Sequence, residues 1–149
     1  MHLFLFILAH LPIIGAPSPT SDKGILQINV QNIVEAEGMV WVGIYKSKED
    51  FLIKEKATLI GVRVESTKDL LIEVPDLPFG EYAMAIFHDE NNNGEMDRNL
   101  VGIPSEPFAF SKKPKSKFRL PKFEEVKFIF DRDHPSLTTT LNKWWKWKS

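Results

Sequence analysis

Glu81-Tyr82-Ala83-Met84-Ala85-Ile86-Phe87 is the stretch on which the fold turns. In an extended chain successive side chains point to opposite faces. Tyr82, Met84 and Ile86 then share one face, and Ala83, Ala85 and Phe87 the other. Both faces are apolar, which predicts a central strand covered on both sides. Just before it, Asp76-Leu77-Pro78-Phe79-Gly80 is turn chemistry, since proline fixes φ and glycine tolerates positive φ. Just after it comes the polar run His88-Asp89-Glu90-Asn91-Asn92-Asn93-Gly94-Glu95-Met96-Asp97, which ends the strand.

Working outward, Gly24 to Asn32 alternates apolar and polar residues, the pattern of a half-buried strand. Met39 to Tyr45 is rich in β-branched and aromatic residues. Thr58 to Glu65 and Leu70 to Val74 read as two more strands. Glu125 to Phe130 alternates with Val126, Phe128 and Phe130 on one face, and Ser136 to Leu141 closes the series. Lys48 to Leu52 reads as a short helical turn whose Phe51 plugs the core. Val101 to Phe110 is irregular, broken by Pro104 and Pro107, and Lys112 to Lys122 is a long basic loop. Strands at short spacing with no long helical period predict an all-β fold. The expected form is an antiparallel β-sandwich, immunoglobulin- or transthyretin-like, of about seven strands.

A chain of 149 residues is one domain's worth. Residues 1–20 read as a secretory signal peptide and short linker, 21–141 as the sandwich domain, and 142–149 as a Trp/Lys-rich tail. The leader reading rests on the apolar run Leu3 to Ala9, continued to Ala16, which is too short to span a bilayer and is followed by small residues. The expected location is therefore the periplasm, the cell envelope or the extracellular space. The chain has no cysteine, which excludes disulfides, thiolate metal sites and a cysteine nucleophile. Its net charge of −1 conceals a split. Residues 1–111 hold 8 Lys/Arg against 16 Asp/Glu, and residues 112–149 hold 11 against 4. Either the two parts attract each other within one fold or the basic end meets an anionic surface.

The polar run carries the clearest site chemistry. Asp89, Asn91, Asn93 and Asp97 stand at the first, third, fifth and ninth positions of a calcium loop, with Gly94 at the sixth. Glu95 offers its backbone carbonyl. The twelfth position, a bidentate glutamate in an EF-hand, is Leu100, and Glu106 is a candidate to fold back in its place. With few charged ligands, Ca²⁺ affinity is expected to be weak, about 10⁻⁴–10⁻³ M. The same residues have a metal-free reading: Asn93-Gly94 is a type I′ hairpin signal, and Asx side chains cap their own turns.

Catalytic patterns are missing. His88, Asp89, Ser105, Glu106 and Ser111 are close in sequence but form no recognised nucleophile–base–orienter set, and no Gly-x-Ser-x-Gly elbow occurs. The expectation is a protein that is not an enzyme. The tail, Asn142-Lys143-Trp144-Trp145-Lys146-Trp147-Lys148-Ser149, suits a membrane interface or an anionic glycan, or else packs its rings on the sandwich. Nucleic acid is not an expected partner of an exported protein.

Leu77 to Ala83, His88 to Asp97 and Gly102 to Ser111, in this order, resemble the bacterial secreted family described as domain of unknown function 2141. Pro121 to Phe128 is similar to that family's closing strand motif. The resemblance covers roughly Gly24 to Phe130. Ala109 stands where the family usually has glycine, and Arg119 to Lys122 replaces a Gly-Pro-Pro-Ser-like turn. The phrase Leu77-Pro-Phe-Gly-Glu-Tyr82 also looks like the turn and strand of transthyretin-like sandwiches. The resemblance implies export and a sandwich fold but no reaction. Two functions remain in view. One is a non-enzymatic binding or display module with a calcium-stabilised loop. The other is a structural envelope protein that contacts lipid, polysaccharide or a protein partner through its basic loop and tail.

Overall fold

The computed structural model describes residues 22–116 and 118–144. The expected leader at 1–20 and the tail from 145 onward lie outside the described residues. Eight strands and two short helical turns follow in order: β1 Lys23–Gln31, β2 Met39–Tyr45, a 3-10 turn Lys54–Lys56, β3 Thr58–Arg63, β4 Leu70–Pro78, β5 Gly80–Asp89, β6 Phe108–Phe110, α1 Phe123–Val126, β7 Phe128–Phe130 and β8 Ser136–Thr140. They make two sheets, β4-β1-β8 and β3-β2-β5-β6, with β7 pairing the start of β5. This is the all-β sandwich expected. One pairing departs from an all-antiparallel arrangement, because β8 runs parallel to β1. The first and last strands thus close one sheet together, a long-range relation that local pattern does not encode.

Alternation does the sorting. Leu26, Ile28 and Val30 of β1, Val40, Val42 and Ile44 of β2, Ile72 and Val74 of β4, and Tyr82, Met84 and Ile86 of β5 turn inward and form the core between the sheets. Each such aliphatic side chain contributes roughly 1.5–3 kcal/mol on full burial. The chain crosses from one sheet to the other at Pro78–Gly80. The Tyr82 hydroxyl pins that corner by donating to the Pro78 carbonyl at 2.7 Å.

The opposite faces of β5 and β6 build a second, smaller cluster. Ala83, Phe108, Phe110, Phe123 and Val126 are buried there, with Phe51, Phe87, Met96 and Trp144 packed against them. Two expectations are corrected here. Phe51 joins this outer cluster, edge-on to Tyr45 at 5.4 Å and to Phe123 at 6.0 Å, and does not enter the inter-sheet core. Glu125 to Phe130 is not one strand. Phe123–Val126 is a helical turn that sends Val126 to the outer cluster, and only Phe128–Phe130 is a strand, sending Phe128 and Phe130 inward. The Ser111 hydroxyl fixes this turn to the sheet by accepting from Met84 N and donating to the Val126 carbonyl.

Candidate functional site

The loop that follows β5 is held by its own side chains. Asp89 is buried at its base. Its Oδ1 accepts from Asn93 N at 3.1 Å, and its Oδ2 accepts from Gly94 N at 2.8 Å and from Trp41 Nε1 at 3.2 Å. Asn91 Oδ1 accepts from Asn93 N, and Asn93 Oδ1 accepts from Glu95 N. The two amide Nδ2 groups both donate to Asp97, at 2.6 Å from Asn91 and 2.9 Å from Asn93. Glu106, only 4% exposed, straps the ends together by accepting from Glu90 N at 3.0 Å and Asp97 N at 3.1 Å. Burial pushes the Glu106 carboxyl up from its ordinary value. The two backbone N–H groups pull it back, and the Asp89 and Asp97 charges push it up further, leaving it raised.

Asp89, Asn91, Asn93, Asp97 and Glu106 are therefore brought into one hydrogen-bonded cluster, in which Glu95 takes part through its backbone N–H. Among the described residues no group of three or more His, Cys, Asp or Glu side chains is arranged to hold an ion. The type I′ hairpin expected at Asn93-Gly94 does not form. Positive φ falls on Asn92 (60°) and Gly94 (77°), on either side of Asn93, and the next strand begins only at Phe108. The loop is a stack of Asx turns, and a Cβ at Gly94 would meet open space, so only its φ demands glycine.

Beside the loop lies a feature that the sequence reading did not foresee. Across the outer face of the second sheet, Gly43 pairs with Ala85, flanked by Leu59 and Phe110. The next rung is Gly61, Trp41, Phe87 and Phe108. The Gly43–Ala85 rung contributes only one methyl group of its own; the Tyr45 ring leans over Gly43, its hydroxyl 3.1 Å from where a Cβ would stand, and the trough between bulkier neighbours is left at Ala85. The Trp41 ring lies flat on Gly61, where a Cβ would come within 2.6 Å of it. The cleft above the trough has a volume of about 750 Å³. Its walls come from the acidic loop (Gly94, Met96), the 102–104 segment and the basic loop (Phe118 to Pro121). Gly43 and Gly61 inside two predicted strands, with the small residues Ala83 and Ala85 in a third, were the available signal.

Charge is unevenly placed around the cleft. Lys54, Arg98 and Arg119 line it, with Glu95. Arg119 is neutralised by a two-point pair with Glu125 at 2.6 and 2.8 Å, which holds the Glu125 carboxyl down at about 2. Lys54 Nζ donates to the Gly94 carbonyl and Arg98 to the Gly102 carbonyl. Neither is in an ion pair with another described residue. At the edge of the cleft Trp144 stacks on Phe108 at 6.5 Å and 24°, so the first tryptophan of the tail packs on the sandwich. Two pairs join the acidic and basic parts of the chain, Lys127 with Glu81 at 3.2 Å and Lys143 with Glu90 at 3.1 Å.

His88 is fully buried and lies 2.7 Å from the Glu37 carbonyl through Nε2, so that nitrogen carries the proton. Its Nδ1 has no hydrogen-bond partner among the described residues. The hydroxyl of Ser111 is engaged in the sheet-to-turn contact described above, away from His88.

Two sheets around one core, with a loop-walled cleft on an outer face, define a β-sandwich of the kind that carries its variable features on loops. The chain belongs to the family described as "Uncharacterized protein conserved in bacteria (DUF2141)", which it matches over residues 28–138. No curated protein and no solved structure was found to match it.

Proposed function

We propose that the protein is an exported, non-enzymatic binding module that takes an apolar ligand in the cleft on the outer face of the β3-β2-β5-β6 sheet. The observation that carries this reading is the Gly43–Ala85 trough, an aromatic-walled space of about 750 Å³ beside fixed cations. Small-molecule sites are concave and mostly apolar with a few placed polar groups, and span about 300–1,000 Å³. The test is a titration with phenylnaphthylamine, a neutral dye that fluoresces in apolar sites. Saturable binding that is lost in Ala85→Phe, with the melting curve kept, supports the reading. Equal binding by both proteins, or none by the wild type, removes it. Met96→Trp, which narrows the cleft from the loop side, serves if Ala85→Phe does not fold.

Calcium enters this proposal as a stabiliser of the cleft's rim. Asn91 and Asn93 now turn amide donors toward Asp97. Amide oxygen and nitrogen are nearly the same size, so rotating both amides would turn two oxygens to the same carboxylate for a cation to bridge, at the loss of the bonds that Asn91 Oδ1 and Asn93 Oδ1 now accept from Asn93 N and Glu95 N.

A second reading, a structural envelope protein that touches a lipid surface, is favoured by one observation. Leu100 and Val101 at the tip of one wall are 107% and 77% exposed, and Phe118 on the facing basic loop is 84% exposed. Apolar side chains at loop tips beside Lys and Arg suit an interface between water and lipid. Co-sedimentation with anionic vesicles, lost in Leu100→Asp/Val101→Asp, tests it.

A further inference from the structure

The cleft's chemistry narrows its ligand further. Its floor and walls are mostly aromatic: Trp41, Tyr45, Phe87, Phe108 and Phe110, around Gly43 and Ala85. A ligand lying there is expected to be largely hydrocarbon. Apart from the Trp41 indole N–H, these five side chains offer only the Tyr45 hydroxyl over Gly43 as a polar group, and a buried polar group without a partner is costly. One end differs. Lys54 reaches from the segment after β2 to the Gly94 carbonyl, and Arg98 leaves the same loop a few residues later. Both line the cleft, and each is tied to a carbonyl oxygen, which positions the charge without neutralising it. Glu95 is the one carboxylate among the described lining residues, and Arg119 is already matched by Glu125. The described lining therefore carries net positive charge beside an apolar floor.

We propose that the ligand is a single-chain anionic amphiphile, an acyl chain that ends in a carboxylate, with its chain on the Gly43–Ala85 trough and its head at Lys54 and Arg98. This rests on the cleft reading above. The volume favours one chain over a two-chain phospholipid, since it sits within the range of sites for single small molecules. Arg98 offers the carboxylate a planar two-point donor, and Lys54 a point charge. Phe118 in the lining, and Leu100 and Val101, which precede the lining residue Gly102 in the chain, are exposed apolar side chains that suit contact with a micelle or membrane from which an amphiphile would come.

The test displaces bound phenylnaphthylamine from the full chain with dodecanoate, with dodecanol and with dodecyltrimethylammonium. These three share a chain and differ in head charge. Dodecanoate is expected to compete best. Arg98→Gln combined with Lys54→Gln is expected to weaken dodecanoate about tenfold or more and leave dodecanol and the dye unchanged. Both substitutions are on the surface and keep the side-chain stems, so the fold is expected to survive. Equal competition by dodecanoate and dodecanol, or an unchanged dodecanoate affinity in the double variant, overturns the anionic head while the apolar cleft stands. Dye binding without displacement by any of the three overturns the acyl chain. Failure of the dye itself to bind overturns the cleft reading on which the inference rests. Retention on phosphatidylglycerol vesicles without uptake of monomeric dodecanoate also overturns it, in favour of a membrane surface.

Discussion

The indole N–H of Trp41 donates to Asp89 Oδ2 at 3.2 Å while the ring of the same residue lies on Gly61. One side chain thus joins the base of the acidic loop to the floor of the cleft. Trp41 stands on β2 opposite Phe87, and Asp89 ends β5 one outward-facing position further along. The two meet because both alternate to the outer face.

Trp41→Phe keeps most of the ring and removes one donor from a buried carboxylate. It is expected to cost about 1 kcal/mol in denaturant unfolding. Asp89→Asn is expected to cost more, about 2–3 kcal/mol, because it turns part of an acceptor that faces Asn93 N, Gly94 N and Trp41 Nε1 into a donor. A smaller loss for Asp89→Asn than for Trp41→Phe would contradict this account of the loop.

Gly94→Ala and Gly61→Val separate two reasons for glycine. At Gly94 φ is 77° with open space around it, so alanine is expected to cost only about 1–2 kcal/mol of left-handed strain. At Gly61 the side chain would strike the Trp41 ring, so valine is expected to displace that ring and alter Trp fluorescence, whereas Gly94→Ala leaves the spectrum alone. Near-UV dichroism of the two variants checks this.

Glu106 is raised above its ordinary value of 4.5, by burial first. The folded state then holds the proton more tightly than the unfolded one. The stability linked to this proton is fully present below the unfolded value and is lost as pH rises through the folded one. Glu106→Gln removes the titration and sets an amide donor against a backbone N–H. The variant is expected to be less stable throughout, with the gap to wild type narrowing as pH rises above the ordinary value of 4.5. A gap that widens over that range sinks the assignment.

Glu125 behaves in the opposite sense. Hydrogen bonds from Arg119 come first, then the backbone N–H of Lys122, and they hold its carboxyl down to about 2 from 4.5. Its contribution is present above the unfolded value and is lost as pH falls from 4.5 toward 2. Amide exchange at Phe123–Val126 is expected to lose protection in that window beyond the intrinsic pH effect, and Glu125→Ala is expected to lose it at neutral pH. Unchanged protection in Glu125→Ala would contradict the clamp.

Calcium is expected to raise the melting temperature steadily with the logarithm of its concentration up to about 10 mM, through about 1.4–2.7 kcal/mol of binding free energy at ten to a hundred times the dissociation constant. Asp97→Ala is expected to abolish the rise. Superimposable melts with and without calcium would leave the loop closed by hydrogen bonds alone.

Much of the sandwich was legible locally. The two apolar faces of Tyr82 to Phe87 are the inner and outer faces of β5, and the alternation in β1 and β2 sorts their side chains correctly. What stayed hidden was non-local. The parallel β1–β8 pair joins chain ends, and the Gly43–Ala85 rung exists only once register is set. Val126 follows the alternation of Phe128 and Phe130 on paper but sits on a turn whose N–H of Lys122 is taken by Glu125. That Asp89, Asn91, Asn93 and Asp97 lie together was legible, because spacing within a short loop nearly fixes proximity, and Glu106 folds back onto the loop at the N–H groups of Glu90 and Asp97. The hairpin at Asn93-Gly94 was not realised, because Asp89 draws the N–H groups of both residues to itself.

Occupation of the outer sheet face by a ligand can be read residue by residue. The most direct measurement is an amide and indole NMR titration of the protein with dodecanoate. The account predicts one saturable process in which the Trp41 indole N–H and the backbone amides of Gly43, Ala85 and Phe110 move together, while Ile28 and Ile72 in the inter-sheet core stay still. Shifts confined to the exposed tips, or no shift at the Trp41 indole at saturating ligand, would contradict it.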